Sequence, residues 1–175
     1  MSLNFELETR RKIYNLIKEN PGLYASKIAE MCNISTQLVD YHILYLKKNN
    51  LITIEKDKSY KRCFVKYSIS HEDKKIISIL RQEFPLKIVL YLLKHPYSRH
   101  KDLLKELNVS SPRFSYHLKK LIKNGIIEIS SYKDKKGYKI INEKEIINLI
   151  IRYKPSIIAE KIKDTWIDFI PGKKE

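Results

Sequence analysis

The residues with the clearest binding chemistry lie in the stretch "SSPRFSYHLKKLIK", positions 110–123. An arginine here can donate two parallel hydrogen bonds to guanine, hydroxyl groups can bond phosphates or base edges, and lysines can neutralise phosphates. The candidate contact residues are Ser110, Ser111, Pro112, Arg113, Ser115, Tyr116, Lys119, Lys120 and Lys123. On a helix, Pro112, Tyr116, Lys119 and Lys123 share one face. The alternative interpretation is a solvated, lysine-rich surface.

A near-copy of this stretch, "VDYHILYLKKNNLITI", occupies positions 39–54. Its candidate contact residues are Thr36, Gln37, Tyr41 and Lys48. Asp40 would repel a phosphate, and exposed Leu44 and Tyr45 would need a partner. In one interpretation this helix still enters a DNA groove, with Gln37 on adenine, Leu38 or Leu44 against a thymine methyl and Asp40 accepting from cytosine. In the other, it is a packing or dimer surface; we favour weaker but retained DNA contact.

Lysine-rich tips follow both stretches. The first tip carries Lys56, Lys58, Lys61 and Arg62, and the second carries Lys133, Lys135 and Lys136. Each tip interrupts an alternation of β-branched and aromatic residues, which predicts a hairpin. These cations are expected to contact phosphates or the minor groove and to make binding salt-dependent. A solvated turn is the alternative.

Catalytic and metal chemistry find little support. There is no nucleophile-base pair, no glycine-rich phosphate loop and no pair of catalytic carboxylates, so we do not expect an enzyme or a cofactor. Cys32 and Cys63 are expected to be buried thiols, because no Cys-x-x-Cys or Cys-His cluster predicts a metal site. His42 and His117 hold matching places and are interpreted as satisfied packing residues or neutral donors to a phosphate. No small-molecule ligand is evident.

The charge predicts a polyanionic partner. The 175 residues carry a net charge of +15, with +5 in residues 1–70 and +9 in residues 86–142. Double-stranded DNA is the leading candidate and an anionic membrane surface the second. No stretch approaches the ~18 to 20 apolar residues of a membrane span, and the N-terminus lacks the layout of a signal peptide. We therefore expect a cytoplasmic protein that does not span a membrane, and with double-stranded DNA as the leading candidate we expect no membrane partner.

The two stretches belong to an internal repeat without gaps. A shift of 75 residues aligns Pro21 with Pro96, and the match continues through Ser35/Ser110, Tyr41/Tyr116, His42/His117, Lys48/Lys123 and Ile54/Ile129. Each copy predicts three helices followed by a hairpin. In the third helix, the spacing predicts a buried stripe of Val39, Ile43 and Leu46 in one copy and Phe114, Leu118 and Leu121 in the other.

The segments "NVSSPRFSYHLKKLIKNGII" and "NISTQLVDYHILYLKKNNLI" resemble the turn, recognition helix and first wing strand of ArsR/MarR-type winged-helix transcription regulators. The paired arrangement is similar to tandem winged-helix regulators of archaea. The resemblance implies an α+β, mostly α fold with two winged helix-turn-helix domains. The recognition helices are expected at about 35–49 and 111–124. The metal-sensing thiolates of some ArsR relatives are absent.

The resulting domain boundaries are winged-helix domain 1 at 1–70, a linking helix at 71–84, winged-helix domain 2 at 85–142 and a C-terminal helical segment at 143–175. Ser70 is expected to cap the linking helix. The C-terminal segment carries an apolar set that includes Ile157, Ile158, Ile162, Trp166 and Phe169. This set predicts packing onto the same chain or a homodimer interface, with a slight preference for the dimer.

Two functions therefore compete. The first is a sequence-specific, double-stranded DNA-binding transcription regulator that uses two recognition helices and basic wings. The second is a winged-helix scaffold that contacts protein or RNA in a transcription or RNA-processing assembly. We favour the regulator, because the helix is doubled and its second copy is basic.

Overall fold

The computed structural model describes residues 2–57, 60–132 and 135–153, without the side chains of residues 2–5, 57, 132 and 135. The chain divides into two compact units, Met1–Ser78 and Ile79–Glu175. The division falls inside the segment that the sequence assigned to a linking helix. The fold is α+β and mostly helical, as expected.

The first unit places three helices before a wing. Its elements are α1 (Ser2–Glu19), β1 (Leu23–Tyr24), α2 (Ala25–Cys32), α3 (Thr36–Lys48), β2 (Ile52–Asp57) and β3 (Tyr60–Val65). The sheet has the order β1-β3-β2 and is antiparallel, with Leu23 opposite Cys63 and Ile54 on the other side of Cys63. The short strand β1 was not predicted from the sequence, because two residues are too few to show an alternating pattern.

The second unit repeats this arrangement. Its elements are α5 (Glu83–Lys94), α6 (His100–Leu107), α7 (Ser111–Lys123), β4 (Ile127–Tyr132), β5 (Lys135–Ile140) and α8 (Glu143–Arg152). Strands β4 and β5 form an antiparallel hairpin. In place of β1, a single bridge joins Ser98 to Tyr138.

The repeat in the sequence is also a repeat in the backbone. In the described residues, left-handed backbone conformations occur in pairs 75 positions apart: Gly22 and Tyr97, Asn33 and Asn108, Asn50 and Gly125, and Tyr67 and Asn142. Asparagine and glycine tolerate this conformation best, and here they hold most of the turns that end helices or open strands. The equivalent turns therefore bend the chain in the same way in both units.

The core of each unit lies between its helices and the base of its wing. The predicted stripes are confirmed: Val39, Ile43 and Leu46 are buried in the first unit, and Phe114, Leu118 and Leu121 are buried in the second. In the first unit they pack with residues of α1, α2 and the sheet, among them Ile13, Ile17, Ile28, Ile52 and Cys63. Burial of one face of α3 and one face of α7 leaves the opposite face of each helix outward.

A further helix, α4 (His71–Leu80), follows the first wing. It ends at Leu80, before the predicted limit of 84, and Glu83 and Phe84 belong to the next helix, α5. Ser70 caps it as predicted, with its hydroxyl accepting a hydrogen bond of 3.0 Å from the Asp73 amide. The Lys74 ammonium donates to Thr53 Oγ1 of β2 at 3.0 Å, which ties the start of the helix to the wing.

Candidate nucleic-acid interface

The outward face of α7 presents the basic and hydroxyl groups that the sequence singled out. Exposed residues of this region are Ser110, Ser111, Pro112, Arg113, Tyr116, Lys119 and Lys123, whereas Ser115 and Lys120 are half-buried. The helix has a proline in its first turn and no acidic residue there. At its end, the Asn124 side-chain amide donates to the Lys120 carbonyl at 2.7 Å. The outward face of α7 therefore offers cations and hydroxyl groups, and the helix itself contains no Asp or Glu.

Arg113 is held against an aromatic ring of its own unit. Its guanidinium carbon lies 5.3 Å from the centre of the Phe84 ring, at the start of α5. The same ring lies 5.1 Å from the His117 ring, so Phe84 contacts two side chains of α7. Cation–π contact orients a guanidinium without using its N–H groups, which stay available as donors. Sequence reasoning missed Phe84, because its separation from Arg113 carries no periodic signal.

The outward face of α3 is less basic. Thr36, Gln37, Asp40 and Lys48 are exposed, and the side chains of Tyr41, Leu44 and Tyr45 are 50%, 64% and 41% exposed. Ser35 caps the helix, since its hydroxyl accepts a hydrogen bond from the Leu38 amide at 3.3 Å. In contrast to α7, the centre of this face is apolar.

Tyr45 stands apart from the rest of this face, because an arginine of α1 covers it. The Arg10 guanidinium carbon lies 3.6 Å from the centre of the Tyr45 ring. Sequence reasoning missed Arg10, for the same reason that it missed Phe84. Each unit thus has a cation–π pair between its first helix and its third, with the arginine on α1 in the first unit and on α7 in the second.

The wing residues fall into three groups. Lys56, Lys61 and Lys136 are exposed and remain candidates for phosphate contact. Lys58 and Lys133 lie outside the described residues, and Lys135 belongs to β5 with its side chain likewise outside them. Arg62 differs from the prediction and forms the third group.

The placement of Arg62 at the exposed tip of the first wing is wrong. Its side chain is only 3% exposed, and Nη1 donates a hydrogen bond of 2.9 Å to the Gly22 carbonyl oxygen. The guanidinium also lies 6.0 Å from the Tyr24 ring and 5.8 Å from the Tyr60 ring. The Arg62 guanidinium, which was predicted to belong to the basic wing surface, therefore lies inside the unit and joins β3 to the turn before β1.

His42, which was interpreted as a satisfied packing residue or a neutral donor to a phosphate, is a packing residue whose ring nitrogens are not satisfied by any residue that the structure describes. It is fully buried, and among the described residues neither ring nitrogen has a hydrogen-bond partner. Its ring contacts that of Tyr41, with 5.1 Å between the ring centres. Burial lowers the pKa of His42 below its ordinary value, nearby Arg10 lowers it further, and Glu6 opposes the shift. The imidazole is therefore neutral and packs as part of the core.

The cysteines are buried as predicted. Both Cys32 and Cys63 are free thiols, and burial, with a smaller contribution from Asp40, raises the pKa of Cys63 to about 12. Within the described ranges, no group of three or more His, Cys, Asp or Glu side chains has the arrangement of a metal site. In the same part of the chain, none of the helices combines the length and the hydropathy needed to cross a bilayer. The apolar set of the C-terminal segment, Ile157, Ile158, Ile162, Trp166 and Phe169, lies outside the described residues.

One relative and two solved structures are similar to this chain, but either the part of the relative that is covered or the structural similarity is small. An uncharacterized HTH-type transcriptional regulator of Methanocaldococcus jannaschii is 32% identical over 122 residues, which cover 69% of this chain and 30% of that protein. The chain thus spans less than a third of the length of this relative. A conserved hypothetical protein from Chlorobium tepidum aligns with a TM-score of 0.32 and 11% identity, over 85% of this chain and 99% of the other. ScpB from Mycobacterium tuberculosis aligns with a TM-score of 0.32 and 10% identity, over 82% and 96%. Such TM-scores carry no argument about fold or function.

The family comparison matches both units. The model of winged helix-turn-helix DNA-binding proteins matches residues 6–53 and again residues 81–128, more than half of the chain. Each match runs from the first helix of a unit into the first strand of its wing, and so includes α3 in one unit and α7 in the other. Because the motif occurs twice in register, the chain belongs to the winged helix-turn-helix DNA-binding family.

Proposed function

We propose that this protein is a transcription regulator that binds double-stranded DNA through both recognition helices, α3 and α7, and through its basic wings. The observation that carries the proposal is the outward face of α7, where Arg113, Lys119 and Lys123 are exposed around Tyr116. Arginine and lysine in this arrangement suit base edges and phosphates of a major groove. The family match points to nucleic-acid binding rather than catalysis.

The two helices are proposed to contribute unequally. Helix α7 supplies cations across its face, whereas α3 supplies Gln37, Tyr41 and Lys48 around an apolar centre. Two modest contacts on one chain reinforce each other through effective concentration, which accounts for the repeat. Regulation of transcription is proposed from the relative in M. jannaschii, whose name describes it as a regulator.

A scaffold function is the second candidate. Leu44 and Tyr41 are exposed on a helix that also carries Asp40, a combination that suits a protein surface at least as well as a phosphate backbone. The C-terminal set is likewise proposed to form a homodimer interface, on the basis of its sequence alone. Selection of duplexes separates these candidates, because a scaffold has no reason to prefer one sequence.

The test is selection of bound duplexes from a random pool with the full chain at about 150 mM salt, where nonspecific phosphate binding is reduced. We expect a motif with two half-sites. A single half-site, or a palindrome of one, would leave DNA reading to one unit. Failure to enrich any sequence would contradict the regulator and favour the scaffold.

Variants then separate base contact from phosphate contact. Arg113→Ala is expected to weaken cognate binding by about tenfold or more and to relax the preference at one position, as loss of a bidentate pair does. Lys136→Ala, at an exposed wing position, is the matched control and should weaken all duplexes alike while lowering the salt slope by about one. Equal effects of both changes on all duplexes would contradict base reading by Arg113.

A further inference from the structure

The outward faces of α3 and α7 can be compared position by position. Both helices have 13 residues, and their bounds differ by 75 positions, as do those of the strands that follow. The outward positions pair as Gln37 with Pro112, Tyr41 with Tyr116, Leu44 with Lys119 and Lys48 with Lys123. The second position is tyrosine in both units and the fourth is lysine in both, whereas the first is glutamine in α3 and proline in α7. The sharpest difference is at the third position, where an aliphatic side chain replaces a cation.

Leu44 is exposed to solvent on the outward face of α3. Its side chain is 64% exposed, more than that of Tyr41 at 50%. An exposed leucine alone means little, since such residues are common on protein surfaces. Here, however, the leucine lies in the middle of a recognition helix, between Tyr41 and Lys48, at the place where the other unit has a lysine.

Tyr45 contributes less apolar surface than its neighbour Leu44, since it is 41% exposed and partly covered. The Arg10 guanidinium lies over its ring at 3.6 Å, so one face of the ring is already covered by α1. The apolar surface that α3 offers to a groove is therefore small: it consists of Leu44, Tyr41 and the uncovered part of Tyr45. A patch of this size suits a single methyl group better than a second protein surface, which needs roughly 800 Å² on each partner.

The flanking groups favour DNA as the occupant. Lys47 and Lys48 are exposed in the last turn of α3, and Lys61 is exposed on the wing of the same unit. Gln37 lies seven residues before Leu44, two turns earlier on the same face. In the major groove, thymine alone among the bases presents a methyl group, and glutamine pairs with the N6 and N7 atoms of adenine. Gln37 and Leu44 are therefore matched to A·T base pairs, whereas the exposed Asp40 between them can accept a hydrogen bond only from the amino group of a cytosine or adenine.

From this geometry we infer that Leu44 reads a thymine methyl group, so that the half-site bound by α3 contains A·T base pairs at the positions facing Gln37 and Leu44, whereas the half-site bound by α7 contains guanine at the position facing Arg113. The inference rests on the proposed function and makes the operator asymmetric in composition. Leu44 is the specificity-determining residue of the first unit. Its counterpart Lys119 contributes charge and no base preference of this kind.

The test replaces thymine by deoxyuridine, which removes only the methyl group. With the full chain and the duplex obtained by selection, each thymine of each half-site is replaced in turn, and the dissociation constant is measured by fluorescence anisotropy. We expect affinity to fall about fourfold at one or two thymines of a single half-site, the effect of withdrawing one buried methyl group from apolar contact. Leu44→Ala should weaken binding to the thymine duplex by a similar factor and should not discriminate thymine from deoxyuridine there.

Lys119→Ala is the matched control, because it changes the equivalent position of the other unit. It should weaken both duplexes and keep the ratio between thymine and deoxyuridine. If selection yields a motif but no thymine is sensitive, or if Leu44→Ala keeps the sensitivity, the inference is overturned and the proposed function stands. If selection yields no motif, the proposed function fails and the inference fails with it. Both substitutions are at exposed positions, and circular dichroism will show that the variants are folded.

Discussion

The Nη1 atom of Arg62 donates a hydrogen bond of 2.9 Å to the carbonyl oxygen of Gly22, 40 positions earlier in the chain. Gly22 has a φ of 82°, and its own amide donates to the Cys63 carbonyl oxygen at 2.8 Å. The turn before β1 is thus held by the backbone of β3 and by a side chain of the same strand. In the second unit, Tyr97 is equivalent to Gly22 and Gly137 is equivalent to Arg62. The glycine is therefore on the turn in the first unit and on the strand in the second.

Arg62→Ala is expected to destabilise the first unit rather than to remove a DNA contact. The substitution leaves the Gly22 carbonyl without its buried charged donor and removes the guanidinium from beside the Tyr24 and Tyr60 rings, which should cost about 2 to 3 kcal/mol of local opening free energy. Hydrogen exchange of peptides that span residues 20–24 and 60–65, followed by mass spectrometry, measures this directly. We expect both peptides to exchange faster.

Lys61→Ala provides the matched control, since Lys61 is the neighbouring cation on the same strand and is exposed. It should leave exchange unchanged and weaken duplex binding with a reduced salt dependence. The buried role of Arg62 would be contradicted if its removal left exchange as in the wild type and lowered DNA affinity as Lys61→Ala does.

Gly137 is expected to tolerate no side chain. A Cβ atom built there would lie 2.0 Å from the Tyr97 carbonyl oxygen and 2.3 Å from its carbonyl carbon, so the backbone of the turn or of β5 must move. The Tyr97 amide donates to Tyr138 at 2.8 Å and the Tyr138 amide to Ser98 at 2.9 Å, and this movement would break that pairing. Gly137→Ala should therefore lower the free energy of unfolding of the second unit by about 1 to 3 kcal/mol. Thermal unfolding and hydrogen exchange of the Tyr138 amide measure this loss.

Gly125→Asn is the control for the glycine experiment. Gly125 has a φ of 66°, and a Cβ atom added to it would meet no other atom within 4 Å. Its equivalent in the first unit is Asn50, with a φ of 57°. Asparagine accepts this conformation at little cost, so Gly125→Asn should be nearly neutral. Similar losses for both variants would show that the close approach of Tyr97 and Gly137 is not what constrains position 137.

Local and periodic features of the fold could be predicted from the sequence. The spacing of Val39, Ile43 and Leu46 identified the buried side of α3, and Ser70 identified the start of α4, because both depend on residues within a few positions of each other. The alignment at 75 residues predicted two similar units, and the paired left-handed residues follow from the same repeat.

Features that depend on distant pairs could not be predicted. Composition counts Arg62 as one more wing cation, and only the folded chain brings it to Gly22. The contacts of Arg10 with Tyr45 and of Arg113 with Phe84 join helices far apart in the sequence, and no period links those positions. The complete burial of His42 could not be predicted, because this packing residue lies at the edge of the predicted stripe, where helix spacing leaves the degree of burial open.

The stability of the first unit is expected to fall in mild acid because of His42. Its folded-state pKa is lowered by burial and by Arg10, while in the unfolded chain the imidazole titrates near its ordinary value of about 6.5. Below that value the unfolded state binds a proton that the folded state does not, so the free energy of unfolding decreases as pH falls. The loss is at most about 1.4 kcal/mol for each pH unit below 6.5, until the folded-state histidine also takes up its proton.

Native-state hydrogen exchange of the α3 amides at pH 7.5 and 5.5, corrected for intrinsic rates, measures this dependence. His42→Leu should reduce the difference between the two pH values, and it should be tolerated because the ring nitrogens have no hydrogen-bond partner to lose. Ile43→Val, in the same buried stripe, should lower stability by about 1 kcal/mol equally at both pH values. An undiminished pH difference in His42→Leu would assign the acid sensitivity to other groups. A wild type without any difference between the two pH values would contradict the lowered pKa of His42.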